Sequence, residues 1–110
     1  MNTDVLFDVG SSQLTPAAAS SRLGNVLSLA QTDPNRHVLV EGFTDSDGDR
    51  TLNQQLSEAR AQAVALWLIG QGIDSTRISA VGHGADNPVA PNDTPENKAL
   101  NRRVVVALQS

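Results

Sequence analysis
The chain has 110 residues, no cysteine and a net charge of −4, with eight basic residues against twelve acidic ones. That length is one domain's worth, enough to bury about 65% of the surface the unfolded chain exposes. The composition excludes a disulfide scaffold, a cysteine-based zinc site and a cysteine nucleophile, and the acidic balance with only three aromatic residues (Phe7, Phe43 and Trp67) argues against a nucleic-acid surface.

Val5–Val9 is short, apolar and β-branched and ends at Gly10-Ser11-Ser12, which predicts a strand and a turn. Thr15-Pro16 reads as an N-cap with proline in the first helical turn, and Leu23, Val26, Leu27 and Ala30 predict one apolar helix face over 16–31. The next strand spans His37–Phe43. Its run Val38-Leu39-Val40 suits a central strand buried on both faces. Thr44–Arg50 is a polar, acidic loop. Thr51-Leu52-Asn53-Gln54 matches a capping box, and Leu52, Leu56, Ala59, Ala63, Leu66 and Gly70 predict an amphipathic helix over 52–70. A third strand is expected over Arg77–Val81. Irregular loop follows over Ala85–Lys98, with a helical turn near 95–99, and the last strand is Arg103–Leu108.

The order is β-α-β-α-β-β, in a single domain over 1–110 with no linker or repeat. The longest strongly apolar stretch, 61–69, is too short to cross a bilayer, and the first residues do not read as a secretory signal. Membrane attachment is therefore expected only through a segment outside this chain.

Asp45-Ser46-Asp47-Gly48-Asp49 resembles the start of a calcium loop, but positions 6 and 12 hold Arg50 and Leu56 where glycine and glutamate are needed. His37 and His83 form no metal-spaced pair, and no Gly-x-Ser-x-Gly turn is present. No metal, cofactor or catalytic residue is expected. Adjacent Arg102 and Arg103 at a strand entry must point to opposite faces, giving one surface arginine and one ion pair.

Asp45 and Arg60 leave two readings open. Asp45 follows the end of a central strand, and Asn53, Leu56 and Arg60 share one face of the next helix. Leu56 is expected to point to the core, leaving Arg60 partly exposed. The two charges either pair with each other or suit a zwitterion, the acid taking an ammonium and the guanidinium a carboxylate.

The segments Gly42-Phe43-Thr44-Asp45-Ser46-Asp47-Gly48, Asn53, Leu56-Ser57-Glu58-Ala59-Arg60-Ala61 and Asn101-Arg102-Arg103-Val104 resemble the OmpA C-terminal-like domain family. Leu6-Phe7-Asp8, Leu14-Thr15, Arg77-Ile78, Gly82-His83-Gly84 and Asn87-Pro88 fall in family order, so the resemblance covers about residues 5–109. It implies a two-layer α+β fold, with a mixed four-stranded sheet of order 1-4-2-3 and helices on one face. It implies non-catalytic binding of peptidoglycan through meso-diaminopimelate in the stem peptide. Asp45 would take the ammonium and Arg60 the carboxylate. Asp8 and Val9 would lend backbone groups, and Thr44, Asn53 and Arg102 complete the candidate ligand-binding set.

The implied setting is the periplasm, with attachment to the outer or, failing that, the inner membrane through a segment before Met1, as part of a larger envelope protein. The alternative is a protein–protein interaction domain of an envelope assembly, with peptidoglycan binding weak or lost. Three positions depart from the family pattern. Phe43 stands where histidine is usual, Asn97-Lys98 replaces a Gly-Arg pair, and Asp47 and Asp49 make the loop unusually acidic.

Overall fold
Helix α1 spans Pro16–Thr32, strand β1 His37–Phe43, helix α2 Arg50–Gly70, strand β2 Ile78–Gly82, helix α3 Pro95–Asn101 and strand β3 Arg103–Gln109. This is a computed structural model, and it describes residues 1–8 and 10–109. The sheet has three strands in the order β2-β1-β3, with β1–β2 parallel and β1–β3 antiparallel. The fold is α+β, with α2 packed across β1 and β2. No helix of the described residues is long and apolar enough to cross a membrane.

Residues 5–8 of the expected first strand form no strand, and the sheet of the described residues has three strands, so the four-stranded order 1-4-2-3 is not confirmed. Thr3–Val5 is a short 3-10 turn, capped where the Asn2 side chain accepts the Asp4 N–H at 2.7 Å. Leu6 and Phe7 are both buried. Two consecutive inward side chains are incompatible with the alternation of a strand covered on one face. Phe7 keeps only an isolated bridge to Leu14, and Val9 lies outside the described residues. The edge of β3 is met earlier in the chain, where Val104 N–H donates to the Met1 carbonyl at 2.9 Å and Thr3 N–H to that of Arg102 at 3.0 Å.

α1 buries Ala19, Leu23 and Ala30, with Val26 and Leu27 packed at the margin, as its spacing predicts. Thr15 occupies the N-cap position but makes no side-chain cap bond. Its hydroxyl donates to the Leu6 carbonyl instead. On β1, Val38 and Val40 are fully buried while Leu39 is half-buried, so the strand is covered on one face, not both.

The buried face of α2 also differs from the expected one. Ser57, Arg60, Ala61, Val64, Ala65 and Leu68 point inward, while Leu52 and Leu66 are 63% and 66% exposed. The reason is proximity. A Cβ on Gly42 would run into the Ser57 carbonyl, and one on Gly82 into the Glu58 amide. Glycines in the sheet and small residues on the helix let the two backbones approach, and leucine would not fit between them. The helix starts at Asp49, whose carboxylate accepts the Leu52 N–H at 3.0 Å. Thr51 is therefore not the cap, and the Gln54 amide donates to the Gly82 carbonyl at 2.6 Å instead of reaching back.

Candidate ligand-binding site
The site forms where the chain leaves β1 and enters α2. Thr44 N–H donates to the Gly84 carbonyl at 2.7 Å, which fastens the strand end to the turn after β2. The Gly84 N–H donates to the Ser57 hydroxyl at 2.9 Å, and that hydroxyl donates to the Gln54 carbonyl at 2.9 Å. Ser57 thus locks α2 to the same turn. Thr44, Ser57 and Gly84 are buried and partnered, so the position of Asp45 relative to α2 is fixed by a continuous hydrogen-bonded path.

The acidic loop is held from several sides. Asp47 N–H donates to Asp45 Oδ1 at 3.0 Å, and the Asn53 amide donates to the Asp47 carbonyl at 2.8 Å. Asp47 also faces Lys98 of α3 at 3.2 Å. Asn101, fully buried, accepts the Val89 and Ala90 N–H groups and donates to the Ala90 carbonyl and to Asn92 Oδ1. Asn92 Oδ1 in turn accepts the Ser46 N–H. Asn101 therefore organises the loop between β2 and α3 against the acidic loop.

Arg60 is only 5% exposed. Its Nε donates to the Ser11 carbonyl at 2.9 Å, Nη1 to the Thr3 hydroxyl at 3.4 Å and Nη2 to the Asp8 carbonyl at 3.4 Å. The guanidinium lies over the Phe7 ring, 5.2 Å from its centroid. All of these acceptors are neutral. Among the described residues no carboxylate comes within 4.0 Å of Arg60. Burial pushes its pKa down, partly opposed by the field of Asp4 and reinforced by that of Arg102.

Arg102 has the opposite setting. Its Nη1 stands 2.8 Å from Asp45 Oδ2, and its Nε and Nη2 contact the Asp4 carboxylate, the shortest contact being 2.9 Å. Hydrogen bonds to Asp4 and then to Asp45 push its pKa up. Arg103 points the other way, its guanidinium 3.8 Å from the Phe43 ring centroid. The divergence expected of the two arginines is present. His83 stacks on Phe43 with centroids 4.8 Å apart and bonds Glu41 at 2.8 Å.

Thr44, Asp45, Asn53, Arg60 and Arg102 line one cleft of about 340 Å³ together with Leu56. Leu56 is half-buried against this space, not a core residue, and Arg60 is buried more deeply than its spacing suggests. Asp8 is exposed and sends its carbonyl to Arg60, while Val9 lies outside the described residues. Asp4 and Gly10 complete the wall. Neither carries a sequence signal, because the N-terminal segment reaches the site through turns that follow no periodicity. Asn53 also borders a larger groove of about 850 Å³ with Arg50, Gln54, His83 and Asp86, which includes none of Asp45, Arg60 and Arg102.

Residues 6–102 match the model of the family described as OmpA. The chain is 45% identical over 108 residues to the "Probable lipoprotein YiaD" of Escherichia coli K12, covering 98% of this chain and 49% of that protein. It is 38% identical over 86 residues to the "Peptidoglycan-binding protein ArfA" of Mycobacterium bovis, covering 78% of this chain and 26% of that protein. The solved structure of the cell wall anchor of the T6SS from Pseudomonas aeruginosa superposes with a TM-score of 0.89 at 32% identity, over 100% of this chain and 78% of that one. The chain thus spans about half of YiaD and about a quarter of ArfA.

Proposed function
Because the chain belongs to the OmpA family, we propose that it is a non-catalytic module that binds peptidoglycan through the free end of meso-diaminopimelate in the stem peptide. In this reading it anchors a larger, periplasm-facing envelope protein to the cell wall. The observation that carries the reading is the state of Arg60, a buried guanidinium with neutral acceptors and, among the described residues, no carboxylate in contact. A buried unpaired cation is costly, and a carboxylate entering the cleft would relieve that cost with charge-assisted hydrogen bonds. Asp45 on the same cleft offers an anion for an ammonium. One carbon bearing both groups satisfies both walls. The names of the anchor and of ArfA support the same ligand class.

Arg60→Ala tests this by co-sedimentation with purified diaminopimelate-type sacculi. Removing one partner of a desolvated charge pair costs roughly 2–5 kcal/mol, or about 30-fold to several-thousand-fold in affinity. Arg60→Lys is expected to bind poorly too, since the planar fork is lost. An Arg60→Ala domain that melts cooperatively and still sediments like wild type would overturn the reading.

A further inference from the structure
The cleft contains four charged side chains, Asp4, Asp45, Arg60 and Arg102. Their formal charges sum to zero. Asp4 has no counterpart in the zwitterion reading above, on which the following rests. It is placed deliberately by the local chain. The Asn2 side chain caps the turn at the Asp4 N–H, and the next-door Thr3 is buried with its hydroxyl on Arg60 and its N–H on the Arg102 carbonyl. From there the Asp4 carboxylate meets Arg102 through Nε at 3.2 and 3.3 Å and Nη2 at 2.9 Å, while Asp45 meets the same guanidinium only through Nη1 at 2.8 Å.

Arg102 is thus divided between two carboxylates. Without Asp4 the whole of its charge would fall to Asp45, which would then be neutralised before any ammonium arrived. Arg60 would remain, and the cleft would carry a net positive charge. We propose that Asp4 is a specificity-determining residue, which holds the cleft electrically neutral so that it selects a neutral zwitterionic end over an end bearing a carboxylate alone. Asp4 need not touch the ligand. It acts by taking the Nε and Nη2 edge of Arg102, so that Asp45 shares that guanidinium and is not its sole counter-ion.

Three tripeptides separate the charges. L-alanyl-γ-D-glutamyl-meso-diaminopimelate has a neutral distal end. The same peptide with 2-aminopimelate keeps the distal carboxylate and lacks the ammonium. The lysine peptide keeps the ammonium and lacks the carboxylate. Calorimetry with each peptide is run on wild type, Asp4→Asn and Asp4→Glu, with Asp4→Ser as a second charge-removing variant should Asp4→Asn melt abnormally.

Removal of the Asp4 charge is expected to shift the affinity ratio of the aminopimelate to the diaminopimelate peptide by about tenfold toward aminopimelate, with the lysine peptide weakened further. Asp4→Glu should restore the wild-type order. A merely structural loosening of Arg102 would weaken all three peptides together. Unchanged ratios in a folded Asp4→Asn or Asp4→Ser domain would overturn the proposal while leaving the zwitterion reading intact. Wild type with no preference for the diaminopimelate peptide would overturn both.

Discussion
Asp45 is bonded to Arg102, through Nη1 at 2.8 Å, and not to Arg60. The two arginines of the cleft therefore have different tasks. Arg102 joins the N-terminal turn, the acidic loop and the start of β3 through carboxylates. Arg60 is held by neutral oxygens and an aromatic face, with no carboxylate of the described residues in direct contact. The simplest alternative to ligand binding, a direct Asp45–Arg60 pair, is absent.

Asp45→Asn is expected to lose sacculus binding and some stability. Asp45 is 8% exposed, and its two oxygens serve the Asp47 N–H and the Arg102 guanidinium. In asparagine one oxygen becomes a donor facing a donor, and the ammonium loses its anion. The binding loss is about 2–5 kcal/mol, and leaving a buried donor unmatched costs about 1–3 kcal/mol of stability. Sedimentation and thermal melting read the two losses separately. Wild-type binding by the variant would remove Asp45 from the site.

The contrast between Asp45 and Asp4 indicates what was legible in the sequence. Asp45, Asn53 and Arg60 could be brought together because a strand end followed by a helix fixes which residues share a face. Asp4 could not, since nothing in a run such as Thr3-Asp4-Val5 announces a capped 3-10 turn. The same limit applies to the expected first strand, where β-branched residues mimic strand composition but Leu6 and Phe7 are both buried and residues 5–8 form no strand. On α2 the leucines at 52 and 66 drew the apolar face to the wrong side. The true contact face is marked by small residues, and its logic lies in Gly42 and Gly82 on another element. Burial against a glycine is a property of a pair, and one strand's sequence does not contain it.

Helix α2 should depend on Asp49 for its start and hardly at all on Thr51. The Asp49 carboxylate accepts the Leu52 N–H, whereas Thr51 is exposed. Asp49→Ala is expected to cost about 1 kcal/mol, a fall in melting temperature of roughly 4–8 °C, and Thr51→Ala only a few tenths. Equal melting temperatures for the two variants would contradict this assignment of the cap.

Two glycine-to-alanine changes should move stability in opposite directions. At Gly82 the new methyl would meet the Glu58 backbone, and at Gly24, inside α1, it would meet nothing within 4 Å. Overpacking against backbone costs about 1–3 kcal/mol or more, while alanine in an open helix interior gains roughly 0.5–1 kcal/mol. Gly82→Ala should also weaken sacculus binding, because the turn at Gly84 that holds Thr44 would shift. Urea titration of both variants is the measurement. A Gly82→Ala domain as stable as wild type would mean that the α2–sheet approach is looser than described.

In the proposed reading, selectivity between cell-wall types rests on Arg60, which no carboxylate of the described residues contacts. Lysine in the stem peptide offers Asp45 an ammonium but brings no carboxylate to the guanidinium. Arg60 would then be covered by the ligand while still lacking an anion, which removes its remaining 5% exposure to water without supplying a counter-charge. A site built to bond a polar group rejects an analogue without it far more strongly than the roughly 1–3 kcal/mol available from a missing methylene. Diaminopimelate-type sacculi should retain the domain, and lysine-type sacculi should not, at equal protein concentration and ionic strength. The comparison needs a salt series, because exposed charges on the acidic loop act on either wall material and are screened by salt, while the desolvated contact to Arg60 is not. Retention that is equal on both sacculi, and stays equal as salt rises, would mean that no ligand carboxylate reaches Arg60.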